Sequence, residues 1–463
     1  MRIPPASDAL VERALAESGT TGCVAIVEDR HLANLRWADN TLTTNGRVHE
    51  RTLTVVALDG EGHDASAGAV TRTVRSLDEV ADLVHAAEDV ARRCGPEESA
   101  RDLPPGESTT DFSEPAPESG IEVFAGLTGD LGGLLDDARA DRMALYGYAE
   151  HTLTTTYLGT SAGTRHRHVQ PSGFLSMTAK GPGGSASTWT GRSTLDFADV
   201  DLNEVDVDLR RKLAWSRRRV DVSPGRYPAI LPPTAVADLT VYAYWEMGGL
   251  AAHEGRTVFA DPRGGTLVGR QVLDPRLTLR SDPHDPRRPC SDVVATAASN
   301  PLLSVFDNGL TAPAVTWVDQ GRLAALVQTR YSAGLTGLPV TPGVDNLLLD
   351  VDGATGGLDD LVARTDRGLL LTSLWYIREV DPQQMLLTGL TRDGVFVVEG
   401  GEVVGAATNF RFNESPVGCL SRVEDAGATV PTFGREWVEY FPRTAMPPLR
   451  VADFHFSTVS DAQ

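Results

Sequence analysis

Apolar and polar residues alternate along 22–28, 31–38, 41–44 and 51–58, the two-residue period of half-buried strands, with Asp39-Asn40 and Asn45-Gly46 as turn signals between them. The pattern predicts a small antiparallel meander. Ahead of it, residues 6–18 place apolar positions at helical spacing before Gly19 and predict an amphipathic helix. Ser76-Leu77-Asp78-Glu79 has capping-box spacing, and Val80, Leu83, Val84, Ala87, Val90 and Ala91 line one face of a helix predicted to run to about Arg93. Residues 95–120 are rich in Pro, Ser and Glu and carry almost no large apolar side chains, so they predict a linker or a loosely draped loop.

Beyond that segment the pattern predicts a helix near 131–143, strands at 144–158, 164–170, 173–180 and 185–192 with Thr and Ser on one face, and a helix over 203–218. That second helix starts with acids and ends in Lys and Arg, which suits the helix dipole and makes Arg217 to Arg219 a solvated helix end. At 224–231 a Pro-Gly turn leads into a short apolar strand, and 234–245 follows with helical spacing. More strands than helices come after, punctuated by Gly turns at Asp307-Asn308-Gly309, Asp319-Gln320-Gly321, Asp352-Gly353, Arg392-Asp393-Gly394 and Gly400-Gly401. No regular strand-helix alternation occurs, so the fold class is α+β: mostly antiparallel sheets with flanking helices, an N-terminal α/β domain and a larger β-rich C-terminal domain. The expected boundaries are an N-terminal domain at 1–95, the linker at 96–120, a central domain at 121–222 and the C-terminal domain at 223–463.

The formal charge of −21, from 42 Lys plus Arg against 63 Asp plus Glu, argues against nucleic acid or an acidic membrane surface as partner. Cys23, Cys94, Cys290 and Cys419 are far apart and form no Cys-x-x-Cys pair, so no disulfide scaffold is expected. Without an apolar leader segment or a run of eighteen apolar residues, the chain reads as soluble and cytoplasmic.

Four constellations invite chemistry. His253-Glu254 suggests a metallopeptidase motif, but Thr257 and Val258 stand where a second histidine ligand is needed. Asp282, His284, Asp285 and Cys290 gather possible ligands in a Pro-rich loop with two arginines. Gly159-Thr160-Ser161-Ala162-Gly163 fits a nucleophile elbow, yet a strand follows it instead of a helix, which favours a two-strand turn. His166 and His168 alternate on one strand face and could bind a metal, though such a pair reads first as a solvated strand face. Trp375-Tyr376 and the stretch 437–441 concentrate aromatics, read as core or, if exposed, as an interface. None of these is assigned as a catalytic, cofactor-binding or metal residue.

The second half carries a resemblance. PGRYPAILPPTAVADLTVYAYW (224–245), EGRTVFADPRGGTLVGRQVLDPRLTLRSDP (254–283), FDNGL (306–310), VDQGRLAALVQTRYSAGLTG (318–337) and residues 346–415 together resemble, in order, the C-terminal domain of the TldD/PmbA peptidase family. Residues 35–60 and 157–170 agree more loosely with its N-terminal part. Catalytic members carry His-Glu-x-x-x-His on the helix after the first C-terminal strand, because two imidazoles one turn apart face the same zinc and the Glu can act on the bound water. Aligned on Val258-Phe259, those positions fall near Thr240, Val241 and Trp245, and Cys419 follows FNESPVG instead of the glycine-rich turn of the zinc cysteine. The resemblance is thus to the TldE type, which implies a non-catalytic subunit with no cofactor of its own. Zinc would sit in a TldD-like partner, and the substrate would be a peptide or unfolded polypeptide. The alternatives are a self-sufficient metallohydrolase built on His253, Glu254 and His284, or a peptide-binding scaffold without a protease partner.

Overall fold

The computed structural model describes residues 5–184 and 186–460. Its N-terminal part comprises α1 (Ser7–Glu17), β1 (Gly22–Ala38), β2 (Thr41–Asp59), β3 (Ser66–Thr73), α2 (Val80–Arg93), α3 (Ala125–Ala140), β4 (Ala144–Thr160), β5 (Arg165–Lys180), β6 (Ser187–Thr194) and α4 (Leu202–Trp215). The six strands form one antiparallel sheet in the order β3-β2-β1-β4-β5-β6. Asp39 and Asn40 turn β1 into β2 with φ of 50° and 59°, the left-handed pair that a tight hairpin needs. The expected meander is in fact two long strands. Asn45-Gly46 is no turn, because β1 supplies partners throughout and sets Leu35 opposite Asn45 and Asn34 opposite Gly46. Likewise 164–170 and 173–180 are one strand, and the helix expected to reach 218 ends at Trp215.

The expected division between 95 and 121 does not separate two sheets, since β1 pairs with β4 from Val24↔Thr160 to Trp37↔Gly147. A β1–β2 unit alone would leave those backbone groups of β1 without partners. Nor does the segment between α2 and α3 hang loose. Gly106 N donates to Ala162 O, Thr109 N to Arg165 O and Arg165 N to Glu107 O, while Ala100 and Phe112 are buried. These backbone bonds and two apolar anchors supply what the composition lacked.

The C-terminal part comprises β7 (Gly225–Leu231), α5 (Pro233–Trp245), α6 (Gly249–His253), β8 (Leu277–Ser281), β9 (Val315–Asp319), β10 (Arg322–Leu323), α7 (Arg330–Thr336), β11 (Leu347–Val351), α8 (Leu358–Ala363), β12 (Arg367–Asp381), β13 (Leu386–Glu399), β14 (Glu402–Ala407), β15 (Asn409–Glu414), α9 (Pro416–Leu420), β16 (Val423–Ala426), β17 (Val430–Thr432), β18 (Thr444–Met446) and β19 (Leu449–Ser460). One sheet runs β10-β9-β8-β11-β18-β17. In the other, β12 pairs with both β7 and β13, and β7-β19-β15-β13 completes the ring, so closure removes the open edges of these strands. Pro232 and Pro233 start α5, which is buried nearly all round and packs in the largest core with Leu231, Trp317, Leu349, Leu371 and Met446. The α+β class with mostly antiparallel sheets holds.

Candidate functional site

Side chains alternate across β1, β4 and β5, so even-numbered residues of all three share one face of the N-terminal sheet. Over its middle that face is polar. Arg30, Tyr148, Glu150, Thr152, Thr154, Gln170, Ser172 and Phe174 floor a hollow of about 580 Å³, roofed by Val438, Glu439, Tyr440, Pro442 and Arg443 of the C-terminal part. The Thr and Ser face predicted from the sequence is therefore the floor of an interdomain groove. Tyr148 donates to Glu150 Oε2 at 2.5 Å, and burial together with that carboxylate pushes its phenol above the usual range.

The roof continues into α5 through Trp437. Its ring lies 5.1 Å from Trp245 and 5.8 Å from Tyr242, centroid to centroid, and its Nε1 donates to Asp238 O at 3.0 Å. Trp245 is thus one ring of an aromatic cluster. Thr240 is fully buried and returns its hydroxyl to Val236 O at 2.7 Å, and Val241 is fully buried in the core. Zinc prefers thiolate, imidazole and carboxylate donors, and these three side chains offer none of them.

One turn earlier on α5, Asp238 has no exposure at all. Its Oδ1 accepts from Glu436 N at 2.9 Å while Oδ2 has no hydrogen-bond partner. Burial holds this carboxyl protonated well above its ordinary value, against the opposing effect of the Glu436 amide. Glu436 in turn accepts from Tyr376 N at 2.9 Å and Ile377 N at 3.2 Å, amides freed where the β12–β13 register slips beside Tyr376 at φ 55°. Between them in sequence, Arg435 reaches Asp393 Oδ2 at 2.5 Å and Ser373 Oγ at 2.6 Å, and its guanidinium lies 4.4 Å over Trp189 of β6. Ser187 donates to the other Asp393 oxygen at 2.7 Å. This buried knot joins the two parts of the molecule beside the groove.

Asp238 yields a pH prediction. Unfolded, the carboxyl ionises above about pH 4, whereas the folded protein keeps it neutral, so its contribution to stability is full below that pH and is lost as pH rises towards the folded value. Asp238→Asn should therefore raise the melting temperature at pH 7 and lose this advantage near pH 4. An equal effect at both pH values would contradict the assignment.

The other sequence candidates are scattered. Glu254, just past α6, pairs with exposed Arg256 at 2.6 Å. Asp285 is held by Arg287 and Arg280, at 2.9 and 3.0 Å, and His284 is exposed, while burial pushes the Cys290 thiol up to about 12. Ser161 sits in the β4–β5 turn and accepts from Cys23 N at 3.0 Å. His166 and His168 are not a solvated pair: they share the groove-side face of β5, His166 is buried with Nε2 3.8 Å from Asp292, and burial lowers both imidazoles. His166 is buried and His168 half-buried, with Asp292 of the C-terminal part against this face. Cys419 is buried in α9. Trp375 lies under Arg392 and Arg435, whereas Tyr376 and Tyr440 are exposed.

Residues 224–458 match the model of the PmbA/TldA metallopeptidase C-terminal domain. The chain belongs to the PmbA/TldD family. No curated protein matches it. Among solved structures, TldE from Thermococcus kodakarensis superposes with a TM-score of 0.76 at 15% identity, covering 97% of this chain and 99% of that one. A protein described as a candidate modulator of DNA gyrase from Bacteroides thetaiotaomicron gives 0.73 at 15% identity over 98% of each chain. Another so described, from Thermotoga maritima, gives 0.75 at 13% identity over 97% and 99%. At these identities the likeness is one of fold, and it extends the family architecture through the N-terminal sheet. No helix among the described residues is long and apolar enough to cross a membrane.

Proposed function

We propose that this PmbA/TldD-family chain is a non-catalytic, TldE-type subunit of a heteromeric zinc peptidase. What supports this reading is α5: by the resemblance, Thr240, Val241 and Trp245 fall near the positions where the catalytic motif needs His, Glu and His, and all three side chains are absorbed into packing. On this reading the zinc belongs to a TldD-like partner, and no residue here is catalytic. The polar interdomain groove gives the subunit a use, since a floor of Thr, Ser and Gln side chains suits an extended peptide whose backbone must keep its hydrogen bonds. Substrates would be peptides or unfolded polypeptides, handled in the cytoplasm.

The test is peptide hydrolysis by the isolated chain and by the chain mixed with a TldD-like subunit. The expected result is no cleavage alone and chelator-sensitive cleavage in the mixture. Chelator-sensitive cleavage by the purified chain alone would overturn the proposal.

A further inference from the structure

On the face of the N-terminal sheet away from the groove, the helical cover is split. Cys23, Ala25 and Val27 of β1 pack with α1 and α2, and Ala33, Leu35 and Trp37 pack with α3 and α4. Asp29 and His31 fall in the gap. Register sets Asp29 opposite Arg51 and His31 opposite His49 on β2, so all four side chains emerge together. They line a hollow of about 240 Å³ whose wall includes Asp8, Glu114 and Glu118.

The two imidazoles stack with centroids 4.2 Å apart and planes 12° from parallel. Both Nε2 atoms approach one carboxylate oxygen, Asp29 Oδ1, His49 at 2.8 Å and His31 at 3.5 Å. Arg51 Nε, at 2.7 Å, and Ser7 Oγ, at 3.3 Å, bind the other oxygen and fix the carboxylate with Oδ1 towards the rings. Asp29 is 1% and His31 2% exposed, and His31 Nδ1 has no hydrogen-bond partner. Among the described residues this is the grouping of three His, Cys, Asp or Glu donors that one ion could reach, the ligand atoms lying within 4.8 Å of one another.

We propose that Asp29, His31 and His49 form a binding site for a borderline transition-metal dication, zinc in the first instance. Two imidazoles and a carboxylate are donors such ions favour. Around a tetrahedral ion with bonds of about 2.0–2.2 Å, ligand atoms stand about 3.3–3.6 Å apart, so the His31 contact with Asp29, at 3.5 Å, already fits and the His49 contact, at 2.8 Å, must open by about 0.5–0.8 Å. His49, the exposed ligand, gives the ion its way in and leaves its remaining coordination to water. A bound ion would clamp the β1–β2 hairpin where the helical layers part. The site owes nothing to α5 or to the groove.

The test uses the full-length chain without an affinity tag, stripped with chelator and titrated with Zn²⁺ and then Co²⁺. We expect one saturable equivalent of zinc, weakened at least tenfold by His49→Ala and by His31→Gln, and a visible Co²⁺ absorption that both substitutions abolish. His49 is at the surface, so its replacement should leave the far-ultraviolet circular dichroism unchanged. Absence of saturable binding, or binding of unchanged affinity in folded His49→Ala protein, would overturn the assignment. Because only metal on the isolated chain is read, the outcome stands apart from that of the subunit proposal.

Discussion

Replacing Arg435 with methionine is expected to destabilise the protein by about 3–5 kcal/mol, the usual result of stranding one member of a buried ion pair. The guanidinium binds Asp393, whose side chain is 3% exposed, and lies over Trp189 from the other part of the molecule. Burial, with a smaller push from the Arg392 charge, depresses the Arg435 pKa, and Asp393 is the main group opposing that shift. Removing the cation leaves Asp393 with Ser187 and a distant Arg392 at 3.8 Å. Asp393→Asn in the same chain should recover part of the loss, because no charge is then stranded. Urea denaturation of the single and double variants measures both effects, and a single-variant loss below about 1 kcal/mol would contradict the buried-pair account. Because the knot joins β6 to the C-terminal part, the single variant should also be cut by protease between residues 195 and 224 faster than the parent.

Trp317→Ala should cost a similar amount, about 3–5 kcal/mol, for a different reason. Trp317 is fully buried in the core of the C-terminal part, 5.4 Å from the Tyr244 ring, and its Nε1 donates to Ser281 Oγ at 2.8 Å. Truncation opens a cavity flanked by β8 and α5, which packing holds too rigidly to collapse. Trp317→Phe keeps most of the volume and should retain most of the stability.

How much of this was legible in the chain differed by element. Helix α5 was readable because Pro232-Pro233 and a run of apolar residues leave no other solution, and the resemblance then placed Thr240, Val241 and Trp245 on it. The hairpin turn at Asp39-Asn40 was readable from turn chemistry. The false turn at Asn45-Gly46 concealed the Asp29, His31 and His49 cluster. Even with the first turn alone, counting back along the hairpin sets His31 against Val48, and only the bulge between Arg36 and Trp37 shifts the register by one and brings His49 opposite it. Asp238, Arg435 and Asp393 gave no such signal. Their positions depend on the segment after β17 folding back against α5, and no local spacing encodes that contact.

The pairing of β1 with β4 has a kinetic consequence. Its partners lie more than a hundred residues apart, so the centre of the N-terminal sheet is built from non-local contacts, the kind that slows folding. During synthesis the β1–β2 hairpin emerges with one side of β1 bare, and that side stays sticky until residues 144–160 have followed. A fragment ending near residue 95 should therefore self-associate, whereas one carried through β6 should remain monomeric.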